Sequence, residues 1–126
     1  GRAPIFTGEL SSTMLFCDVY EALDPGCCIL AVAKETGQIA ASCFYHSRFT
    51  HVSIGIMNVH PDHFGKGLAR QLLDRIVRLS NEQNKQMRLV SSAMNLDSFS
   101  LYTRGGFVPR QIFQDMTLAI PEEGLA

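Results

Sequence analysis

Val59-His60-Pro61-Asp62-His63-Phe64-Gly65-Lys66-Gly67-Leu68-Ala69-Arg70 is the stretch on which the fold turns. Before it, within residues 49–59, Val52, Ile54 and Ile56 alternate with Ser53, Gly55 and Met57, the period-two mark of a strand. After it the period changes. At about 100° per residue, Leu68, Ala69, Leu72, Leu73, Ile76 and Leu79 share one side of a helix expected over residues 67–84. Arg70, Asp74, Arg75 and Arg78 fall on the opposite arc, with Asp74 placed four residues before Arg78. A strand, a loop with two glycines and a lysine, and a long helix therefore follow one another directly. Glycines let a backbone approach a ligand closely, and a helix start points unpaired N–H groups outward. Those donors, the positive helix end, Lys66 and Arg70 suit a phosphate or pyrophosphate. The glycine spacing alone fits a plain tight turn equally well. It matches neither the GxxxxGK[ST] loop nor the GxGxxG fingerprint.

Working outward, residues 87–91 read as a strand, residues 97–104 as a short helix ended by Gly105-Gly106, and residues 112–120 as a last strand. Upstream, Ser11 to Leu23 reads as a helix opened by a serine cap and closed by Asp24-Pro25-Gly26; a strand competes for Met14 to Cys17. Residues 28–33 and 38–44 form a hairpin through Lys34-Glu35-Thr36-Gly37, with Gly37 supplying the unusual backbone angle. Strand, basic helix, strand is a crossover, so residues 52–59 and 87–91 should pair in parallel while everything earlier pairs antiparallel. The expected fold is α/β: a mixed, mostly antiparallel sheet with helices on its faces. In such sheets ligands bind beyond the carboxyl ends of the strands. Both the loop of residues 60–70 and the pair Asn95 and Tyr102 lie at such ends.

The 126 residues suit one domain, and 46% hydrophobic with 18% charged residues suits a packed core. No apolar run approaches the roughly 18–20 residues of a membrane span, and no export signal is visible. The net charge of −1 speaks against a general nucleic-acid binder. It conceals a gradient, with residues 64–88 at +4 and residues 1–26 and 111–126 at −3 each. A local anionic ligand fits that pattern better than a long polyanion. Cys17, Cys27, Cys28 and Cys43 show no metal-binding spacing and read as reduced core cysteines of a cytoplasmic protein.

The ETG turn, the strand running into Val59-x-Pro61, the Gly65-x-Gly67-Leu68-Ala69 loop and Asn95…Leu101-Tyr102…Gly106-Phe107 form an ordered combination. On it the chain resembles the GCN5-related N-acetyltransferase (GNAT) superfamily over residues 28–120, about three quarters of its length. The resemblance implies acetyl-coenzyme A as co-substrate, held in a cleft where strands 52–59 and 87–91 splay apart. It implies that the backbone of Phe64, Gly65, Lys66, Gly67, Leu68, Ala69 and Arg70 holds the pyrophosphate. Gly67 and Ala69 fit the fourth and sixth places of the family's R/Q-x-x-G-x-G/A motif, but Phe64 stands where Arg or Gln is usual, so that side-chain contribution is absent. Met57 and Val59 match strand positions whose main chain pairs with the pantetheine arm, and Asn95 matches a pantetheine contact. Ser98 stands where Ala is usual. A strand N–H would stabilise the oxyanion of a tetrahedral intermediate, and Tyr102 matches the general acid that protonates the departing thiolate.

Members of the family often place a carboxylate on the strand equivalent to residues 52–59, and this strand has none. His51 and His60 flank it and are the candidate bases; Tyr45, His46, Phe49 and residues 11–26 are expected to shape the acceptor pocket. The acceptor expected is a small-molecule amine. The alternative is a non-catalytic acyl-coenzyme A binding or regulatory module, favoured by Phe64 and the missing base. His60-x-x-His63 with Asp62 and His51 is a weak metal pattern, and no metal is expected. No nucleic acid and no membrane partner are expected. The family's first strand and helix would precede residue 11, so truncation is expected, with a homodimer or a second domain of a longer chain as candidates to complete the fold.

Overall fold

In the computed structural model, which describes residue 9, residues 11–122 and residue 124, the chain runs α1 (Ser11–Leu23), β1 (Cys28–Val32), β2 (Ile39–Ser47), β3 (His51–Val59), a 3-10 turn (Pro61–His63), α2 (Leu68–Glu82), β4 (Gln86–Arg88) and α3 (Leu96–Arg104). The four strands make one sheet in the order β1-β2-β3-β4. β1–β2 and β2–β3 are antiparallel, and β3–β4 is parallel. This is the mixed α/β architecture expected from the strand–helix–strand order.

α2 organises the core. Its Leu72, Leu73 and Ile76 are buried against Ala41, Cys43, Val52 and Ile54 of β2 and β3. Burying a side chain of this size contributes roughly 1.5–3 kcal/mol. Ser80, the one polar residue on the buried stripe, donates its hydroxyl to the Lys85 carbonyl at 2.5 Å and so is not orphaned. Asp74 reaches back to Arg70 at 2.9 Å rather than forward to Arg78, whose Nε donates to the Asp74 carbonyl.

α1 lies on the other face of the sheet. Thr13, Phe16 and Tyr20 recur at helical spacing and are its half-buried positions. Tyr20 packs edge-on to Phe44 and His46 of β2. The residues 14–17 for which a strand competed are helical. The expected serine cap is corrected: Ser11 and Ser12 both lie within the first turn, and the Ser12 hydroxyl donates to the Glu9 carbonyl at 2.7 Å. Gly26 takes a φ of +74° where the chain turns into β1, its N–H donating to the Glu21 carboxylate at 2.9 Å.

The last expected strand is also corrected. Residues 112–120 form no strand, and each residue from 111 to 120 is exposed, Ile112 at 99%. A strand needs a neighbour for its backbone donors and acceptors. β4, the edge strand on that side, is three residues long. The β propensity is present in the segment, but no ladder meets it.

The cysteines diverge from a uniform core role. All four are free, but Cys17 is exposed, Cys27 and Cys28 are half-buried, and Cys43 alone is fully buried. Burial pushes the Cys43 thiol up to about 12. Among the described residues no helix is long and apolar enough to cross a membrane. Iodoacetamide should therefore alkylate Cys17 in the native protein and leave Cys43 untouched until denaturant is added. Peptide mass spectrometry checks this; native labelling of Cys43 would contradict the packing.

Candidate active site

The parallel pairing of β3 with β4 covers only His51↔Gln86, Val52↔Met87 and Ser53↔Arg88. Beyond Ser53 the pairing stops, and that edge of β3, from Ile54 to Val59, has no strand partner among the described residues. An extended backbone with an unsatisfied edge is a place for a ligand's amide groups to bind. Met57 and Val59 lie on this segment, their side chains packed toward the core and their main chain part of the open edge.

At the carboxyl end of this edge stands the loop of residues 64–70. Gly65 and Gly67 take φ of +75° and +73°, in the left-handed region that favours glycine. Gly67 caps α2 without any side-chain hydrogen bond. The first bond into α2 is Gln71 N–H to the Gly67 carbonyl, at 3.1 Å. The N–H groups of Gly65, Lys66, Gly67, Leu68, Ala69 and Arg70 have no acceptor among the described residues. A Cβ on Gly65 or Gly67 would meet nothing within 4 Å, so the cradle is open. These are the features of an anion site at a helix start. Its side chains contribute less than its backbone. Phe64 is exposed, Lys66 Nζ lies 3.3 Å from His63 Nδ1, and Arg70 is held by Asp74 and by the Arg104 carbonyl at 3.3 Å.

Tyr102 of α3 packs on the core side of the same edge, beside Phe107 with ring centroids 6.0 Å apart. Burial, and then the neighbouring Cys43, push its phenol above the ordinary range, so it holds its proton. Its hydroxyl makes no hydrogen bond to a described residue and is free to meet a ligand. Asn95 is the N-cap of α3; its side-chain oxygen accepts from the Ser98 N–H at 3.2 Å. That oxygen is committed to holding α3, which in turn places Tyr102.

The two flanking histidines sit at opposite ends of β3. His60 caps the 3-10 turn, its Nδ1 accepting from the Asp62 N–H, and the Gln38 amide lies against both His60 Nε2 and His63 Nε2. His51 is in the zipped part of the sheet, beside the Thr50 hydroxyl at 3.0 Å. Among the described residues no three metal-ligating side chains converge.

The middle of β3 carries a feature that residue spacing did not disclose. Cys43 faces Met57 and Tyr45 faces Ile54, so Phe44 alone opposes both Gly55 and Ile56. The extra residue lies on β3, whose core face passes from Val52 and Ile54 to Met57 and Val59, while β2 keeps its plain alternation through Ala41, Cys43 and Tyr45. Tyr45, expected in the acceptor pocket, turns to the core, where burial raises its phenol. His46, next along β2, therefore points to the α1 face. There its Nδ1 lies 2.6 Å from Asp24 Oδ2, and Arg48 holds the same carboxylate through both of its terminal nitrogens. A Cβ on Gly55 would come within 2.9 Å of His46 Nε2, which puts that nitrogen directly over the bulge. On the same α1-facing side of the sheet, a cavity of about 270 Å³ is lined by Thr13, Phe16, Cys17, Phe44, Ile56 and Asn58. Asp24 reads in sequence as a helix stop, and its partner is 22 residues away.

The hydrogen bonds from Arg48 and His46 hold the Asp24 carboxyl down to about 2. Because this lies below the ordinary carboxyl value of 3.8, Asp24 stabilises the fold fully above that value and progressively less as pH falls toward 2. In urea melts, Asp24→Asn should show a constant deficit above pH 5 that shrinks as the pH is lowered toward 2. A deficit independent of pH would refute the ionic role.

The family model described as acetyltransferase (GNAT) family matches residues 3–107. A Bacillus subtilis (strain 168) protein, UPF0157 protein YqkA, is 31% identical over 74 residues, which is 59% of this chain and 21% of that protein. The chain thus spans about a fifth of the length of that relative. Among solved structures, a putative acetyltransferase from Pyrococcus horikoshii superposes with a TM-score of 0.71 at 20% identity, covering 83% of this chain and 36% of that one. The ribosomal-protein-S18-alanine N-acetyltransferase from Escherichia coli superposes at 0.67 with 18% identity, covering 85% and 68%. These superpositions agree with the mixed α/β fold described above. With the family model matching most of its length, the chain belongs to the GNAT family of acetyltransferases.

Proposed function

We propose that this chain is an N-acetyltransferase that passes the acetyl group of acetyl-coenzyme A directly to the nitrogen of a small amine. The observation that carries this reading is the continuity of the open β3 edge with the row of unpaired N–H groups from Gly65 to Arg70. The two together fit a pantetheine arm leading to a pyrophosphate. Met57 and Val59 would bind the arm through their main chain, and Phe64 would contribute backbone alone. Tyr102, protonated beside the edge, would give its proton to the thiolate as the carbon–sulfur bond breaks. A strand N–H would take the developing oxyanion. The cavity against α1 would receive the acceptor; its lining is mostly apolar. The cellular setting that fits is the cytoplasm, where acetyl-coenzyme A and free thiols coexist.

One observation favours a second reading, a non-catalytic acyl-coenzyme A module: Arg70 is tied to Asp74, and Phe64 offers no charge to the pyrophosphate. Calorimetry with acetyl-coenzyme A, together with thiol release in the presence of small amines, separates the two. The enzyme reading expects binding and turnover, with Tyr102→Phe binding normally and losing about 10²-fold in kcat. Binding without turnover on any amine supports the module, and a Tyr102→Phe kcat unchanged across pH removes the acid role.

A further inference from the structure

We infer that His46 is the general base that takes the proton from the incoming amine, with Asp24 as its positioning residue; this rests on the acetyl-transfer reading above. An alkylamine has a pKa near 10.4, so at neutral pH it is an ammonium ion without a lone pair and needs a proton acceptor before attack. The chemistry occurs where the β3 edge is open, between Ile54 and Val59. His60 follows that edge at its loop end with its Nδ1 already engaged by the Asp62 N–H, and His51 lies in the zipped part beside the Thr50 hydroxyl. His46 Nε2, by contrast, lies over Gly55 itself.

The ring is held for the task. Asp24 is ionised and so accepts only, which puts the imidazole proton on Nδ1 and leaves the lone pair of the neutral ring on Nε2. Nε2 has no partner among the described residues and retains access to solvent. Arg48 clamps the carboxylate, and Tyr20 of α1 packs edge-on against the imidazole at 4.8 Å. Among the described residues, Asp24 and Tyr20 contact the ring, and Arg48 reaches it through the shared Asp24 carboxylate. His46 and the carboxylate are 12% and 13% exposed, so the pair is sheltered without being sealed. Gly55 makes the arrangement sterically open, since any side chain there would press on Nε2 and on Phe44. The acid and the base then meet the edge from opposite faces, Tyr102 from the core side and His46 from the α1 side. In the step, the ammonium gives one proton to Nε2, the freed nitrogen forms the new carbon–nitrogen bond, and its second surplus N–H proton leaves to water as the tetrahedral intermediate collapses. The carbon–sulfur bond breaks, and the thiolate takes the Tyr102 proton. His46 then releases its proton to water, and Tyr102 regains one.

The test compares native chain, His46→Gln and Asp24→Asn, with spermidine and lysine methyl ester as acceptors. His46→Gln should bind acetyl-coenzyme A with native affinity yet lose about 10²-fold or more in kcat/KM at pH 7. Its kcat/KM should climb steadily with pH where the native profile levels off. Free imidazole should restore part of the rate to His46→Ala. Asp24→Asn should retain acetyl-coenzyme A binding with a smaller loss of rate. Independently of activity, ¹⁵N NMR of the neutral native protein should show His46 protonated at Nδ1 and bare at Nε2, with that preference weakened in Asp24→Asn. An active native chain with native-like rate and pH profile in His46→Gln overturns the base assignment alone, as does an Nε2–H tautomer. No transfer by the native chain to either amine counts against the acetyl-transfer reading and the base together.

Discussion

The molecule depends on a sheet that is zipped for three residue pairs and then opens. Pairing of β3 with β4 ends at Ser53↔Arg88, where β4 stops, although β3 itself runs on to Val59. An exposed strand edge is costly to leave unpaired, and it also invites pairing with another chain. Here the opening is held by what packs across it. Leu72, Leu73 and Ile76 anchor α2 to β2 and β3, while Leu101, Tyr102 and Phe107 bring α3 onto the same core. Gly105 fits directly against Leu73, where a Cβ would come within 2.9 Å of a fully buried side chain. The helices therefore set the distance between the two strands, and the gap between them is the consequence.

Electrostatics at the two ends of the cleft follow different rules. At the loop of residues 64–70 the positive character comes from oriented backbone, since Arg70 is paired with Asp74 and Phe64 is neutral. Fixed N–H groups need no reorganisation on binding and do not depend on a flexible side chain. At the bulge, side chains dominate. Arg48 and His46 together keep the Asp24 carboxylate ionised. That carboxylate in turn fixes the imidazole, so a single exposed arginine controls the geometry of a group two links away.

Much of this was legible in the residues. The change of period at Val59 placed β3 and α2 to within a residue or two, and Gly37 takes the positive φ expected of it in the hairpin turn. Asn95 and Tyr102 were expected at the end of a strand over residues 87–91; β4 stops at Arg88, and Asn95 instead caps α3, which carries Tyr102. Other features were hidden for physical reasons. Residues 112–120 carry the alternation of a strand, but pairing is a property of a neighbour, and β4 is too short to offer one. The bulge lies on β3, where the core face passes from Val52 and Ile54 to Met57 and Val59, and the alternation of Val52, Ile54 and Ile56 in the sequence does not announce it. The Asp24–His46 contact joins a helix stop to a strand interior across 22 residues, beyond the reach of any local period.

The central claim is that the open β3 edge and the unpaired donors after it form one continuous site for coenzyme A. A backbone-amide NMR titration with coenzyme A tests it most directly. The account predicts that amides of residues 54–59 and of Gly65 to Arg70 shift together, with a single affinity, while those of β1 stay in place. Shifts confined to the loop, or absent from both segments at millimolar coenzyme A, would contradict it.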